Sequence, residues 1–197
     1  PYLDGEPGRP RFVRWFCATL AGATMVVAAD HLLVLVVAWL GTSLSLQNLL
    51  TFYPDRPAAQ MAAHKKFLVS RAADVAMLAA AALLFVRHDT LSIAALHTIA
   101  NDGGAAGDGV AMALIAAAVL LKSAQLPFHG WLMQVMEAPT PVSALLHAGV
   151  VNLGGVVAIR LAPLFGAAPV AQTMLVVGGA VTAGIAALVA TTRISIK

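Results

Sequence analysis

The chain has 197 residues, of which 60% are hydrophobic and only 11% are charged. A soluble domain contains about 25% charged residues, so this composition excludes an ordinary soluble enzyme and a disordered segment. The net charge of +3 reflects scarce acidic residues rather than a basic patch, which argues against a nucleic-acid binder. A single cysteine, Cys17, excludes a disulfide scaffold or a cysteine zinc site. The sequence therefore predicts an all-α, polytopic membrane protein.

Apolar runs of about 20 residues, the length that crosses a bilayer, predict about six transmembrane helices in a single domain over residues 1–197. Only Asp30 and His31 separate the first two helices, which predicts a tight hairpin. The fourth helix is expected to break near residues 122–127, because Pro127 cannot donate a backbone hydrogen bond. The start at Pro1, without an initiator methionine, is typical of a fragment of a longer chain. The six segments cover about 12–29, 31–50, 67–85, 109–137, 141–159 and 169–191.

The basic residues divide unequally between the two sides of the membrane if the six segments alternate in direction. One side receives only Arg87 and Arg160. Cytoplasmic loops are enriched in Lys and Arg, so the other side, with the N-terminal end and the Pro54–Lys66 loop, is expected to be cytoplasmic. The basic residues on that side are Arg9, Arg11, Arg14, Arg56, Lys65, Lys66, Arg193 and Lys197.

Charged residues inside the predicted helices are candidates for function, since each costs roughly 2.5–3.5 kcal/mol at membrane depth on insertion scales. Arg71 and Asp74 are three residues apart, so they share a helix face and can form a pair that is either purely structural or part of a transport path. Lys122 has no acid within one helical turn and directly precedes the predicted break. Broken helices form ion sites in transporters, so Lys122 is predicted to load and release a proton; a lysine that snorkels to the membrane surface is the alternative.

Three further titratable residues lie near this segment. His129 follows Lys122 by about two helical turns, and His147 in the next helix is either a packed core residue or a proton relay beside the lysine. Glu137 precedes Pro141 at the cytoplasmic end, where it either gates proton entry or is solvated. No spacing of His, Asp or Glu fits a metal site and no glycine-rich loop fits a nucleotide, so no cofactor is expected.

Two stretches resemble a known family. Residues 122–127 (KSAQLP) and 139–148 (PTPVSALLHA) resemble the signature of the antiporter-like subunits of respiratory complex I and of Mrp-type sodium/proton antiporters. The resemblance implies a bacterial inner-membrane protein containing the first of two inverted five-helix repeats and one further helix. It also implies site residues: Lys122 as the central proton-carrying lysine, His147 as a relay toward a second half-channel, and Asp74 or Arg71 with Lys65 or Lys66 at the cytoplasmic entrance.

One position departs from that family pattern. The family's second segment carries Trp-Glu, and this glutamate is the carboxylate partner of the lysine, whereas here Leu40 follows Trp39. The ion pair that this glutamate would form with Lys122 is therefore expected to be missing, or to be formed instead by Asp74, Asp30 or a partner chain. Residues 125–131, 135–139, 147–155 and 191–197 resemble a specialised branch, the membrane subunits of DAB-type inorganic-carbon pumps. That resemblance implies a partner, a large soluble zinc-containing subunit similar to carbonic anhydrase.

Three functions remain open from the sequence. The first is a transporter subunit, not an enzyme, that conducts protons in an energy-coupled uptake complex for bicarbonate or carbon dioxide. The second is a proton-pumping subunit of an NADH:quinone oxidoreductase or of an Mrp antiporter. The third is a membrane anchor without transport, which Leu40 favours and which the retained Lys122 and Pro127 disfavour.

Overall fold

The computed structural model of the chain describes residues 8–53, 57–134 and 139–192. Within these ranges the chain forms helices joined by short turns, so the predicted all-α fold class is confirmed. The helices are α1 (Arg9–Ala28), α2 (Leu32–Leu50), α3 (Pro57–His88), α4 (Ile93–Asn101), α5 (Gly109–Lys122), α6 (Gly130–Gln134), α7 (Thr140–Leu145), a π-helical segment (Leu146–Val150), α8 (Leu153–Arg160), α9 (Ala162–Gly166) and α10 (Pro169–Thr192).

Five helical units are long and apolar enough to cross a membrane, and each coincides with one of the six predicted segments. By length and composition, α1, α2, α3, α10 and the unit from Thr140 to Arg160 can span a bilayer. The sixth, α5, is a shorter apolar helix because it ends at Lys122. Two short helices, α4 and α9, lie in regions that the sequence analysis left without structure.

Hydrogen bonds between the α1–α2 turn and the α3–α4 turn fix α2 beside α3. The α1–α2 turn is tight, as predicted, and the Asp30 carbonyl oxygen accepts a hydrogen bond of 2.9 Å from the Ile93 N–H. The Leu32 N–H donates in return to the Leu91 carbonyl oxygen at 2.7 Å. These bonds use backbone groups that the helix ends leave without intrahelical partners. They hold the polar residues of α2 against the face of α3 that carries Asp74.

The start of α3 differs from the prediction. The helix begins at Pro57 rather than near Phe67, because proline suits a first helical turn and the following residues, including Ala59, Ala62 and Ala63, favour helix. The prediction of a loop reaching Lys66 is therefore wrong: this side chain is buried in α3. Without Lys66 the basic residues still favour the same side of the membrane.

The break in the fourth predicted helix is confirmed. The helix α5 ends at Lys122, and α6 begins only at Gly130. Between them Ala124 has a positive φ of 51°, and the Leu126–Pro127 peptide bond is cis. The Leu126 N–H donates to the Thr182 hydroxyl of α10 at 3.1 Å. This neighbouring helix thus satisfies one of the backbone groups that the break sets free inside the bundle.

A close approach of two helices occurs directly beside the break. A Cβ atom on Gly154 in α8 would lie 2.9 Å from the carbonyl oxygen of Val119 and would overlap the Ser123 hydroxyl. The next residue, Gly155, faces open space. Only one of these two neighbouring glycines is therefore required for α8 to pack on the end of α5.

This pair of glycines gives a matched test of the packing. We expect Gly154→Ala to lower the free energy of unfolding by about 1–3 kcal/mol, because the backbone oxygen of Val119 cannot move aside easily. Gly155→Ala should be neutral or stabilising by up to about 1 kcal/mol, since alanine is the better helix former. Thermal unfolding of the two variants in detergent measures the difference. Equal effects of the two substitutions would contradict this packing.

Candidate functional site

The centre of the site is a buried ion pair between two helices. Lys122 is the last residue of α5 and is only 6% exposed. Its Nζ lies 3.0 Å from Oδ1 of Asp74 in α3. A snorkelling lysine is therefore ruled out. Of the three sources considered for the carboxylate missing at Leu40, the structure places Asp74 beside the lysine.

Asp74 is shared between two cations. Its second carboxylate oxygen, Oδ2, lies 2.6 Å from Nη2 of Arg71, so the three-residue spacing forms the predicted pair. Asp74 is 8% exposed, whereas the side chain of Arg71 is 28% exposed and reaches the edge of the cluster. One carboxylate thus bridges a lysine from α5 and an arginine from its own helix.

The tryptophan of α2 supplies two further contacts to the lysine. Nζ of Lys122 lies 4.6 Å from the ring centroid of Trp39, within the range of a cation–π interaction. It also donates a long hydrogen bond of 3.5 Å to the carbonyl oxygen of Trp39. Trp39 is fully buried, so its ring and carbonyl oxygen are fixed parts of the site. These contacts and the C-terminal end of α5 place negative or partly negative groups around the ammonium group.

A second lysine, Lys66, lies in the same cluster; the family resemblance implied Lys65 or Lys66 at the cytoplasmic entrance, but not a buried position inside α3. Lys66 is 3% exposed, and its Nζ donates to the carbonyl oxygen of Ser43 at 2.7 Å and to its hydroxyl at 3.1 Å. Arg71 donates to the same hydroxyl at 3.2 Å. Lys66, Ser70 and Asp74 recur every four residues, so they share one face of α3. If the predicted helix had begun at Pro57, this four-residue spacing would have indicated that these three residues lie on one face.

The charges of the cluster are unbalanced. Within the described ranges, the cluster contains three basic side chains, those of Lys66, Arg71 and Lys122, and one carboxylate, that of Asp74. Arginine stays protonated in proteins, whereas a lysine amine can lose its proton when buried. If Lys122 becomes neutral, Asp74 is still paired with Arg71. The arrangement can therefore release a proton from the lysine without exposing a bare buried carboxylate.

The other predicted site residues lie outside this cluster or outside the described ranges. The side chain of His147 is exposed on the π-helical segment. His129 is half-buried and lines a cavity of about 350 Å³ between the break and α10. Lys65 is exposed on α3, next to the buried Lys66. Glu137 lies outside the residues that the structure describes. In the described part of the chain, no three His, Cys, Asp or Glu side chains come together as metal ligands.

A second ion-pair cluster connects the opposite ends of the same two helices. Asp108, next to the start of α5, is buried, and its Oδ2 lies 2.8 Å from Nε2 of His88 at the end of α3. Its Oδ1 lies 3.1 Å from Nε of Arg87. The sequence analysis did not identify this contact. Ion pairs thus join α3 to both ends of α5.

Because Asp74 is shared between two cations, substitutions of Asp74 and of Lys122 are expected to destabilise the protein by different amounts. We expect Asp74→Asn to destabilise the protein by about 3–5 kcal/mol, because it leaves Lys122 and Arg71 without their counter-ion. Lys122→Met should cost clearly less, since the pair between Arg71 and Asp74 remains. Thermal unfolding in detergent at one fixed pH measures both variants. A larger loss for Lys122→Met than for Asp74→Asn would contradict the sharing of Asp74.

Comparisons with known proteins agree with this architecture. The sequence profile of the NADH:quinone oxidoreductase/Mrp antiporter transmembrane family matches residues 29–197. The probable inorganic carbon transporter subunit DabB of Hydrogenovibrio crunogenus is 47% identical over 189 residues, which are 95% of this chain and 36% of that protein. NADH-quinone oxidoreductase subunit L of Mycobacterium tuberculosis is 36% identical over 200 residues, which are 100% of this chain and 31% of that protein.

A solved structure shares the fold. A chain in the structure of the Mrp complex from Dietzia sp. DQ12-45-1b superposes with a TM-score of 0.81 and 34% sequence identity. The match covers 92% of this chain and 20% of that chain. Likewise, the chain spans only about a third of the length of the two curated relatives, at 36% and 31%.

Proposed function

Because the chain belongs to the NADH:quinone oxidoreductase/Mrp antiporter transmembrane family, we propose that it is a proton-conducting membrane subunit in which Lys122 carries the proton. The observation that carries this proposal is the shared carboxylate: Asp74 contacts Lys122 through one oxygen and Arg71 through the other. A purely structural ion pair needs only one of these two cations. The second cation gives the lysine a way to change its charge.

Loading and release of the proton follow from the contacts of Lys122. A proton that arrives on the neutral amine forms an ammonium group, which Asp74 and the ring of Trp39 stabilise. When the ammonium group gives its proton away, Arg71 remains the counter-ion of Asp74. An isolated lysine–carboxylate pair lacks this second cation, so deprotonation would leave a bare buried carboxylate at a cost of several kcal/mol. The fixed arginine thus reduces the energy difference between the two protonation states.

The break beside Lys122 provides the route away from the lysine. Ser123, Gln125 and Asn152 line a cavity of about 440 Å³ next to the break. The buried oxygen atoms of Ser123 and Gln125 have no hydrogen-bond partner within the described part of the chain, which suits a hydrated path. His147 lies on the π-helical segment that precedes Asn152, and π-helical turns occur frequently at functional sites. In this proposal His147 relays the proton toward the rest of the protein.

Substitution of the central lysine tests proton conduction. We expect Lys122→Met, which keeps the side-chain volume and removes the titratable group, to lower proton flux at least about tenfold. Lys122→Arg should fail similarly, because a guanidinium group does not release its proton. The flux is measured with a pH-sensitive dye enclosed in liposomes that contain the full-length protein with its partners. Arg11→Met, at an exposed cation of α1, is the matched control. Unchanged flux in Lys122→Met would favour an anchor without transport.

For the biological role, we propose a subunit of an inorganic-carbon uptake complex in the bacterial inner membrane, with the N-terminal end of the chain in the cytoplasm. Two observations support this role: the similarity to a probable inorganic carbon transporter subunit, and Leu40 in place of the family's glutamate. The proposed partner is a large soluble zinc-containing subunit similar to carbonic anhydrase. The second candidate, an NADH:quinone oxidoreductase or Mrp subunit, is favoured by the similarity to subunit L and to the Mrp chain.

Purification with native partners distinguishes these two roles. The full-length protein is tagged, extracted in mild detergent and analysed for associated proteins and for bound zinc, iron and flavin. We expect one large soluble subunit that contains zinc. A set of flavin or iron–sulfur subunits, or of several small membrane subunits, would contradict the uptake complex and support the second candidate.

A further inference from the structure

The two buried lysines, Lys66 and Lys122, both line a very small cavity. Its volume is about 10 Å³, which corresponds to the space for a single water molecule. A water needs two to four polar partners to be held in such a site, and this lining supplies them. The polar lining residues are Ser43, Lys66, Ser70, Lys122 and Trp131.

The tryptophan at this cavity lacks an acceptor. Trp131 is 5% exposed, and its buried indole nitrogen Nε1 has no hydrogen-bond partner among the residues that the structure describes. A buried donor without an acceptor destabilises the fold, because it has lost its hydrogen bonds to water. The oxygen of a water in the cavity can accept from this N–H and from a lysine ammonium group at the same time. The lining therefore fits a water that accepts two hydrogen bonds and can donate two.

The charges allow only one of the two lysines to be protonated at low cost. Asp74, the carboxylate of the cluster within the described ranges, is already paired with Arg71 and Lys122. Among the residues that the structure describes, Lys66 forms its hydrogen bonds with the neutral oxygens of Ser43. Two ammonium groups would add a second uncompensated charge to a buried site, and such charges are costly inside a membrane. The two lysines therefore compete for one proton.

We propose that Lys66 is a second proton-carrying residue, which exchanges a proton with Lys122 through one water in the cavity between them. This inference rests on the proposed proton conduction through Lys122. In the forward step the Lys66 ammonium group gives a proton to the water oxygen. The same water gives one of its own protons to the neutral amine of Lys122, so the water is regenerated and the positive charge moves between the helices.

Ser43 can hold Lys66 before and after this step. Its carbonyl oxygen and hydroxyl accept hydrogen bonds from the ammonium group at 2.7 and 3.1 Å. A hydroxyl is both donor and acceptor, so after rotation it can donate to the lone pair of the neutral amine. Lys66 thus keeps a partner in both protonation states, as Lys122 does through Asp74 and Trp39. A lysine with a purely structural role would not need the second arrangement.

The test compares proton flux in liposomes for the full-length protein with its partners and four variants. Lys66→Met removes the titratable group, whereas Lys66→Arg keeps a positive charge that cannot be released. We expect both to lower flux at least about tenfold. His64→Gln, on the exposed side of the same helix, should conduct like the unmodified protein. Lys122→Met is measured in parallel, and flux is normalised to the amount of assembled, folded protein.

The outcomes separate this inference from the proposed function. Wild-type flux in Lys66→Met, with loss of flux in Lys122→Met, would overturn the role of Lys66 and leave proton conduction intact. Wild-type flux in Lys66→Arg would also overturn it, because a fixed charge would then suffice. Wild-type flux in Lys122→Met would overturn both. If Lys66→Met does not assemble, Lys66→Arg alone decides, since it preserves the buried charge.

Discussion

The structure depends on one carboxylate that neutralises cations from two helices. Asp74 holds Arg71 on its own helix and Lys122 at the end of α5; Asp74 and Lys122 are buried, and Arg71 reaches the edge of the cluster. A lysine at this depth requires a counter-ion, and a carboxylate at this depth requires a cation in every state of the lysine. Arg71 meets the second requirement. The contacts of Asp74 with Lys122 and Arg71 therefore explain why these buried charges are tolerated. They also explain how Lys122 can lose its charge while Asp74 keeps a counter-ion.

The backbone places these side chains accurately. Backbone hydrogen bonds between the α1–α2 turn and the α3–α4 turn keep α2 beside α3. Trp39 and Ser43 of α2 therefore face the cluster. Ion pairs of Asp108 join the C-terminal end of α3 to the start of α5, at the end of α5 opposite Lys122. The break then leaves Lys122 as the last helical residue, next to irregular backbone that can line a cavity. These backbone contacts thus hold the side chains of the ion-pair cluster in place.

Local sequence patterns were sufficient for part of this architecture. Runs of apolar residues predicted the spanning segments, Pro127 predicted the break, and the three-residue spacing predicted the pair of Arg71 and Asp74. The partner of Lys122 remained one of three possibilities, because a contact between α3 and α5 is set by packing and not by local periodicity. Lys66 was assigned to the cytoplasmic end for a related reason: the start of α3 lies in a polar stretch, where hydropathy does not distinguish helix from loop.

The protonation state of Lys122 tests the central claim most directly. Nitrogen-15 NMR of the lysine-labelled full-length protein in bilayers distinguishes an amine from an ammonium group, and Lys122→Met identifies the signal. We expect this signal to change from the ammonium to the amine value as the pH is raised, while the protein stays folded. A Lys122 signal that keeps the ammonium value over the whole pH range of the folded protein would contradict a proton-carrying lysine.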